Sequence, residues 1–481
     1  MESDEALNPH PEGESDKARA AGRKTAVVVI HGMGEQRPME TLWGFVQAAW
    51  IYDKKLGGRS QNQIFSKPDR ITGSFELRRI TTRRWKGPNS SPVDFFEFYW
   101  AHLMIGNTIT SVTSWLMTLL FRRPSSVPPK LRGAWVLLLI VVATLAVITA
   151  LSALPDALHP DWVPHWVWPW SLALGIVVGF VQTLWVAPVA GDAARYLSPT
   201  PQNVAARQTI REAGVDLLAK LHQSGDYDRI IVVGHSLGSV IGYDIINCAW
   251  ARLDAKQFWT THTEKSASME ALAKLERAGH ALVEAHSDIV SSRSAYRSAQ
   301  RAYFETLKTC DADTRPIWIV SDFVSLGSPL SKADILLARD KAQFKERKAL
   351  REVVSCPPRF ENLNPPRFSY PLQDQMRAPH HAAAFAPTVW TNIYFDSAFV
   401  FFGDIIAGPI APLFGSGVLD VKLDVGAPRF RHLDYWKDPS LDPAMPWISA
   451  LRRAINLRGS PEEDLWANQV GEDGVSAKTR H

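Results

Sequence analysis

Ile230-Ile231-Val232-Val233-Gly234-His235-Ser236-Leu237-Gly238-Ser239-Val240 is the stretch on which the fold turns. Its four leading β-branched residues read as a strand buried on both faces, as in a parallel sheet. The run from Val240 to Arg252 reads as a helix. Between them lies G-x-S-x-G, a pattern that requires a sharp strand-to-helix turn. Gly234 and Gly238 remove side chains that would clash in such a turn, which lifts Ser236 Oγ clear of the sheet. The helix N-terminus behind Ser236 supplies backbone N–H groups and a positive dipole end where an oxyanion would form. A bare G-x-S-x-G is common by chance; the strand before it and the helix after it give it chemical meaning.

Working outward, similar apolar runs occur at Ala26–Ile30, Asp94–Trp100, Ile317–Leu326 and Val389–Phe395. The first ends at His31-Gly32-Met33-Gly34. Helical patterns lie between several of them, Val204–Gln223 among these. Strands alternating with helices predict an α/β fold with a mostly parallel sheet flanked by helices.

With these elements in place, the chain resembles the α/β-hydrolases of the lipase/esterase type over residues 25–34, 94–100 and 229–436, with gaps. Those enzymes place an HG step where His31-Gly32 stands. The resemblance implies that the backbone amides of Met33 and Leu237 form the oxyanion hole, with His31 shaping the loop. Val324-Ser325-Leu326-Gly327-Ser328-Pro329-Leu330 resembles their G-S-P turn.

The implied chain order is Ser, acid, His. After Asp404 only His432 and the last residue, His481, remain. His432 in Arg431-His432-Leu433-Asp434-Tyr435-Trp436 is therefore the expected base, and H-x-x-Y-W resembles the His loop of these enzymes. His380 and His381 compete only with an earlier acid such as Asp322, which sits mid-strand. Trp390–Phe395 resembles the strand before the acid, which leaves Asp404 as the expected acid and Asp396 as the alternative. The segment Ser397–Phe402 lengthens the interval between strand and Asp404. No metal motif, phosphate loop or dinucleotide glycine pattern occurs, so chemistry without a cofactor is expected.

The 481 residues carry a net charge of +4. Residues 1–24 and 458–481 are each −2, which leaves +8 on the body between them. Both ends read as disordered tails. The basic excess is too dilute for a nucleic-acid groove, whereas it suits a surface facing anionic lipid. Cys248, Cys310 and Cys356 are odd in number and lack metal-ligand spacing, which favours a reducing compartment.

Nine of the 18 tryptophans fall between Trp85 and Trp185, around a strongly apolar block. Residues 133–154 contain no charge, and 170–190 have Gln182 as their one strongly polar side chain. At ~1.5 Å per residue, each is long enough to span a ~30 Å hydrocarbon core. Arg122, Arg123, Lys130 and Arg132 precede the pair and Arg195 follows it, while the Trp-rich joining segment has no Lys or Arg. The positive-inside bias then predicts a transmembrane hairpin over 122–195, with both termini and the hydrolase domain cytoplasmic. A soluble helical hairpin is the alternative. If the strands on either side share one sheet, the number of crossings is even, so the uncharged but hydroxyl-rich stretch 101–121 reads as an interfacial helix.

The expected organisation is thus a hydrolase domain in two parts, 25–121 and 196–457. The second part carries a helical arm or cap inserted at about 255–312. The expected activity is hydrolysis of a carboxylic ester through an acyl-Ser236 intermediate, with a lipid or long-chain acyl ester as substrate and the bilayer as partner. Cleavage of a thioester or amide by the same residues is a rival reading. A second rival is a non-catalytic membrane scaffold that binds a protein through the arm.

Overall fold

The computed structural model describes residues 24–33, 37–56, 62–84, 91–104, 196–197, 201–252, 265–308, 318–372, 376–397, 403–424, 429–440 and 445–466, with eight scattered positions in 132–147. Its strands are β1 (Lys24–Ile30), β2 (Ile64–Pro68), β3 (Arg78–Thr82), β4 (Val93–Phe98), β5 (Tyr227–His235), β6 (Val320–Leu326), β7 (Ser369–Pro371), β8 (Arg377–Pro379), β9 (Val389–Phe395) and β10 (Leu419–Leu423). Eight form one sheet in the order β10-β9-β6-β5-β1-β4-β3-β2, and β7-β8 is a separate antiparallel pair. From β10 to β4 every neighbouring pair is parallel, while β3 and β2 add an antiparallel edge. The chain is therefore α/β with a mostly parallel sheet.

The helices used below are α1 (Glu40–Val46), α2 (Pro201–Gln223), α3 (Leu237–Arg252), α4 (Lys265–Glu284), α5 (Ile289–Lys308), α6 (Pro446–Ile455) and α7 (Glu462–Trp466). They cover both faces of the sheet, which explains why its strands are continuous apolar runs. On β1, Ala26, Val28 and Ile30 enter one core with Leu218 of α2, Val240 of α3 and Phe304 of α5. Val27 and Val29 enter the other with Phe45 of α1 and Leu451 of α6.

Two expectations need correction. The inserted helices are not a projecting arm. α5 buries Tyr296, Arg297, Gln300, Tyr303 and Phe304 against the sheet layer. Its apolar seam is hard to read because two of those core positions are polar. Gln300 donates to the carbonyls of Phe385 and Thr388, and Arg297 donates to Trp390 O and to Glu462.

The expected C-terminal tail fails over 458–466. Leu465 and Trp466 of α7 are buried, and Glu462 sits between Arg297 and Arg301. Glu462, in an acidic run that reads as solvated, is anchored by the buried Arg297 and the partly exposed Arg301. Lys24, the last residue of the expected N-terminal tail, opens β1, and the remainder of both expected tails lies outside the described residues.

Of the expected interfacial helix, only Ala101–Met104 is described, as a 3₁₀ turn with Met104 buried. Residues 105–121 and nearly all of the expected hairpin lie outside the described residues. Among the described residues no helix is long and apolar enough to cross a membrane.

Candidate active site

β5 ends at His235, α3 begins at Leu237, and Ser236 forms the turn between them with φ +52°. A non-glycine residue held at positive φ is strained, and the surrounding contacts must enforce it. A Cβ on Gly234 would lie 2.5 Å from the Gly238 carbonyl oxygen, and one on Gly238 would lie 2.4 Å from the carbonyl oxygens of Ile30 and His31. Both motif glycines are thus required by close backbone approach. The turn is also tied to β6, because Ser236 N–H donates to Leu326 O at 2.9 Å.

The loop after β1 packs directly on this turn, since a Cβ on Gly32 would meet Ser236 Cβ at 2.9 Å. Met33, the next residue, is partly buried. His31 is fully buried, stacks on Trp100 and accepts the Trp100 N–H at Nε2, while its Nδ1 faces the Gly32 carbonyl. Burial pulls its pKa down to about 4, so it stays neutral and shapes the loop.

The structure brings Ser236, His432 and Asp404 into one hydrogen-bonded line. His432 Nε2 lies 2.9 Å from Ser236 Oγ, and His432 Nδ1 lies 2.8 Å from Asp404 Oδ2. Asp404 is completely buried. Its Oδ1 accepts the N–H groups of Ile406 and Ala407, and its Oδ2 also accepts the Tyr435 hydroxyl at 2.7 Å. Burial pushes the carboxyl pKa upward, but hydrogen bonds from His432, Tyr435 and Ala407 and the His432 charge outweigh it. The acid is held below its ordinary value and stays ionised.

Gly403 explains how Asp404 reaches this position despite the extra segment Ser397–Phe402 after β9. Its φ is +88°, and a Cβ there would lie 2.0 Å from the Asp396 carbonyl oxygen. Gly403 therefore lies directly against Asp396, and Asp404 emerges close to the end of β9. Gly403 then pairs with the His432 segment, donating to Arg429 O and accepting from Arg431 N–H. Asp396 is not brought to His432; its carboxylate pairs with Lys422 at 2.8 Å. Asp322 of β6 pairs with Arg229 of β5 and Arg301 of α5, and His380 binds the Arg359 carbonyl.

Two contributors were not singled out from the sequence. His235, the variable residue of the motif, donates from Nε2 to the His432 carbonyl at 2.8 Å and packs on Tyr435 and Trp436. Burial takes its pKa down to about 3, which keeps it neutral beside His432. Nothing in the motif pattern signals this. Tyr435 was visible as the Y of H-x-x-Y-W, but its hydroxyl contact with Asp404 was not. Burial, then the Asp404 charge, raises the phenol well above its ordinary value, so it remains a donor. Gly327 of the G-S-P turn makes room for the pair: a Cβ there would lie 2.7 Å from the Tyr435 ring and 3.0 Å from Asp404 Oδ2.

Tyr435→Phe removes one of two donors to Asp404 Oδ2. Hydrogen bonds to a charged group are worth about 1.5–3 kcal/mol, so a fall in turnover of roughly ten- to hundredfold is expected. Unchanged steady-state kinetics would show that His432 alone holds the carboxylate in place.

Among the described residues no cluster of His, Cys, Asp or Glu could hold a metal ion. Comparisons of the chain with protein-family models, curated proteins and solved structures find no match.

Proposed function

We propose that this chain is an α/β-hydrolase-type serine hydrolase that cleaves carboxylic esters through an acyl-Ser236 intermediate. The observation that carries this reading is the unbroken hydrogen-bond line from Asp404 through His432 to a serine strained on a strand-to-helix turn. In the first half-reaction His432 Nε2 takes the Oγ proton as Ser236 attacks the ester carbonyl carbon. The resulting oxyanion is met by the backbone amides of Met33 and Leu237, the latter at the N-terminus of α3. Collapse expels the alcohol, which takes its proton from His432, and water repeats the sequence on the acyl-enzyme. Asp404 keeps the ring oriented and stabilises its cationic form.

A lipid or long-chain acyl ester is the narrower substrate reading. The uncharged stretches 133–154 and 170–190 support it, as do exposed apolar residues at helical positions of the first. Val136 is 45% exposed there, and Ile140 and Val147 are each 57% exposed. We place the chain at a membrane with the hydrolase domain and both termini on the cytoplasmic side, on the strength of the charge asymmetry around those stretches.

Steady-state kinetics on p-nitrophenyl esters in detergent test both parts. The expected result is hydrolysis with decanoate favoured over acetate in kcat/KM. A preference for acetate would remove the lipid reading alone. No turnover of either ester would remove ester hydrolysis and favour a thioester or amide substrate.

A further inference from the structure

We infer that the edge of the domain carrying His432 rests on an anionic phospholipid bilayer, with Phe430 and Leu433 inserted among the acyl chains. This deepens the proposed hydrolase reading by naming the surface from which the site draws its substrate.

Phe430 is 51% exposed and Leu433 64% exposed, yet His432 between them is buried, as are Asp434 and Tyr435. One exposed apolar side chain is ordinary, but two bracketing the candidate base on a pinned backbone need an explanation. Gly403 N–H donates to Arg429 O, Arg431 N–H to Gly403 O, and His235 to His432 O. The segment is therefore fixed, with Leu433 turned outward and Phe430 half-exposed beside the His432 ring. On the adjoining turn Ile405 and Ile406 are half-buried.

Charge complements this apolar tip. Residues 429–437 carry Arg429, Arg431 and Lys437 against Asp434, a net +2. Arg429 and Lys437, both on Asp434, are 49% and 59% exposed. Apolar tips flanked by cationic side chains suit the headgroup region of an anionic leaflet.

Chain geography supplies the third argument. β4 is level with β1, and β1 with β5, so Phe98, Ile30 and Gly234 lie at one edge of the sheet, beside Ser236. The described chain leaves that edge at Met104. It returns at Tyr196, whose hydroxyl donates to Asp244 of α3. α2 then runs alongside α3 in the same direction, with Arg211 on Asp244 and Asp216 on Arg252. Both ends of 105–195 therefore depart from the Ser236 edge, and both uncharged stretches fall within that interval. Spans leaving there would hold this edge against a leaflet.

The test uses the full chain reconstituted into vesicles of phosphatidylcholine and phosphatidylserine, doped with a phosphatidylcholine that bears an acyl-chain diazirine. After irradiation, peptide mass spectrometry should find lipid adducts on the segment 430–433, in wild type and in Ser236→Ala alike. Phe430→Ser with Leu433→Ser should lower adduct yield there at least about tenfold, because two apolar side chains no longer partition into the bilayer. Phe430→Trp with Leu433→Ile should retain it. Adducts confined to other segments, or none at all, would overturn the inference; a yield indifferent to phosphatidylserine would overturn the anionic part. The hydrolase reading fails separately, through absence of turnover in a chain that still crosslinks at 430–433.

Discussion

Asp404→Asn should lower ester turnover by about four orders of magnitude while the protein remains folded, on the scale expected for a triad whose acid no longer enforces the His tautomer. Four donors converge on this carboxylate: the N–H groups of Ile406 and Ala407 on one oxygen, and His432 and Tyr435 on the other. An amide has one acceptor oxygen. Whichever way it is turned, its NH₂ faces donors, so either the backbone turn or the His432 tautomer is lost. Asp396→Asn is the matched control. Its carboxylate pairs with the half-exposed Lys422, and a surface pair of that kind is worth about 0–1 kcal/mol. Equal losses in the two variants would remove Asp404 from its assigned role.

The second large effect is a steep loss of stability on acidification between about pH 6.5 and 4, the interval between the free His value and the buried ones. Burial lowers His31, His222 and His380 to about 4 and His235 to about 3. Burial keeps each of them neutral, and the neutral ring can both donate and accept; His222, for example, donates to Leu218 O and accepts Ile319 N–H. In that window the unfolded chain binds protons at these sites and the native chain does not, so stability falls as pH falls. Glu97, raised by burial to about 7, has the opposite sign and offsets part of this. The net uptake on unfolding near pH 5 is roughly three protons, a slope of about 4 kcal/mol per pH unit. Melting temperature against pH reads it directly. A flat profile between pH 7 and 5 would contradict the buried neutral imidazoles.

Much of the parallel sheet was legible because two-sided burial leaves a plain mark. β9 has the bounds its apolar run suggests, and β1, β4, β5 and β6 differ from theirs by a few residues at the ends. β2 and β3 were missed: on this antiparallel edge β2 is mostly exposed, and its sequence Ile64-Phe65-Ser66-Lys67-Pro68 carries no such run. α5 and α7 were misread for one reason. Arg297, Arg301 and Glu462 look like solvated charges in the sequence and are a largely buried ion network in the fold. The three residues of the site were legible by type and order. What placed Asp404 over Asp396 was Gly403, whose left-handed backbone against the Asp396 carbonyl closes the interval, and sequence spacing counts that interval at full length.

The most direct test of the central claim is covalent labelling with a fluorophosphonate. The reagent phosphonylates a serine only when an adjacent base removes its proton and an oxyanion site is formed, so it reads the assembled site without a known substrate. The full chain in membranes should label, with the adduct on the peptide that contains Ser236. Ser236→Ala should abolish labelling and His432→Ala should slow it by about three orders of magnitude or more, as loss of a triad member does. Labelling that persists in Ser236→Ala, or a wild-type chain that does not label at all, would contradict the account.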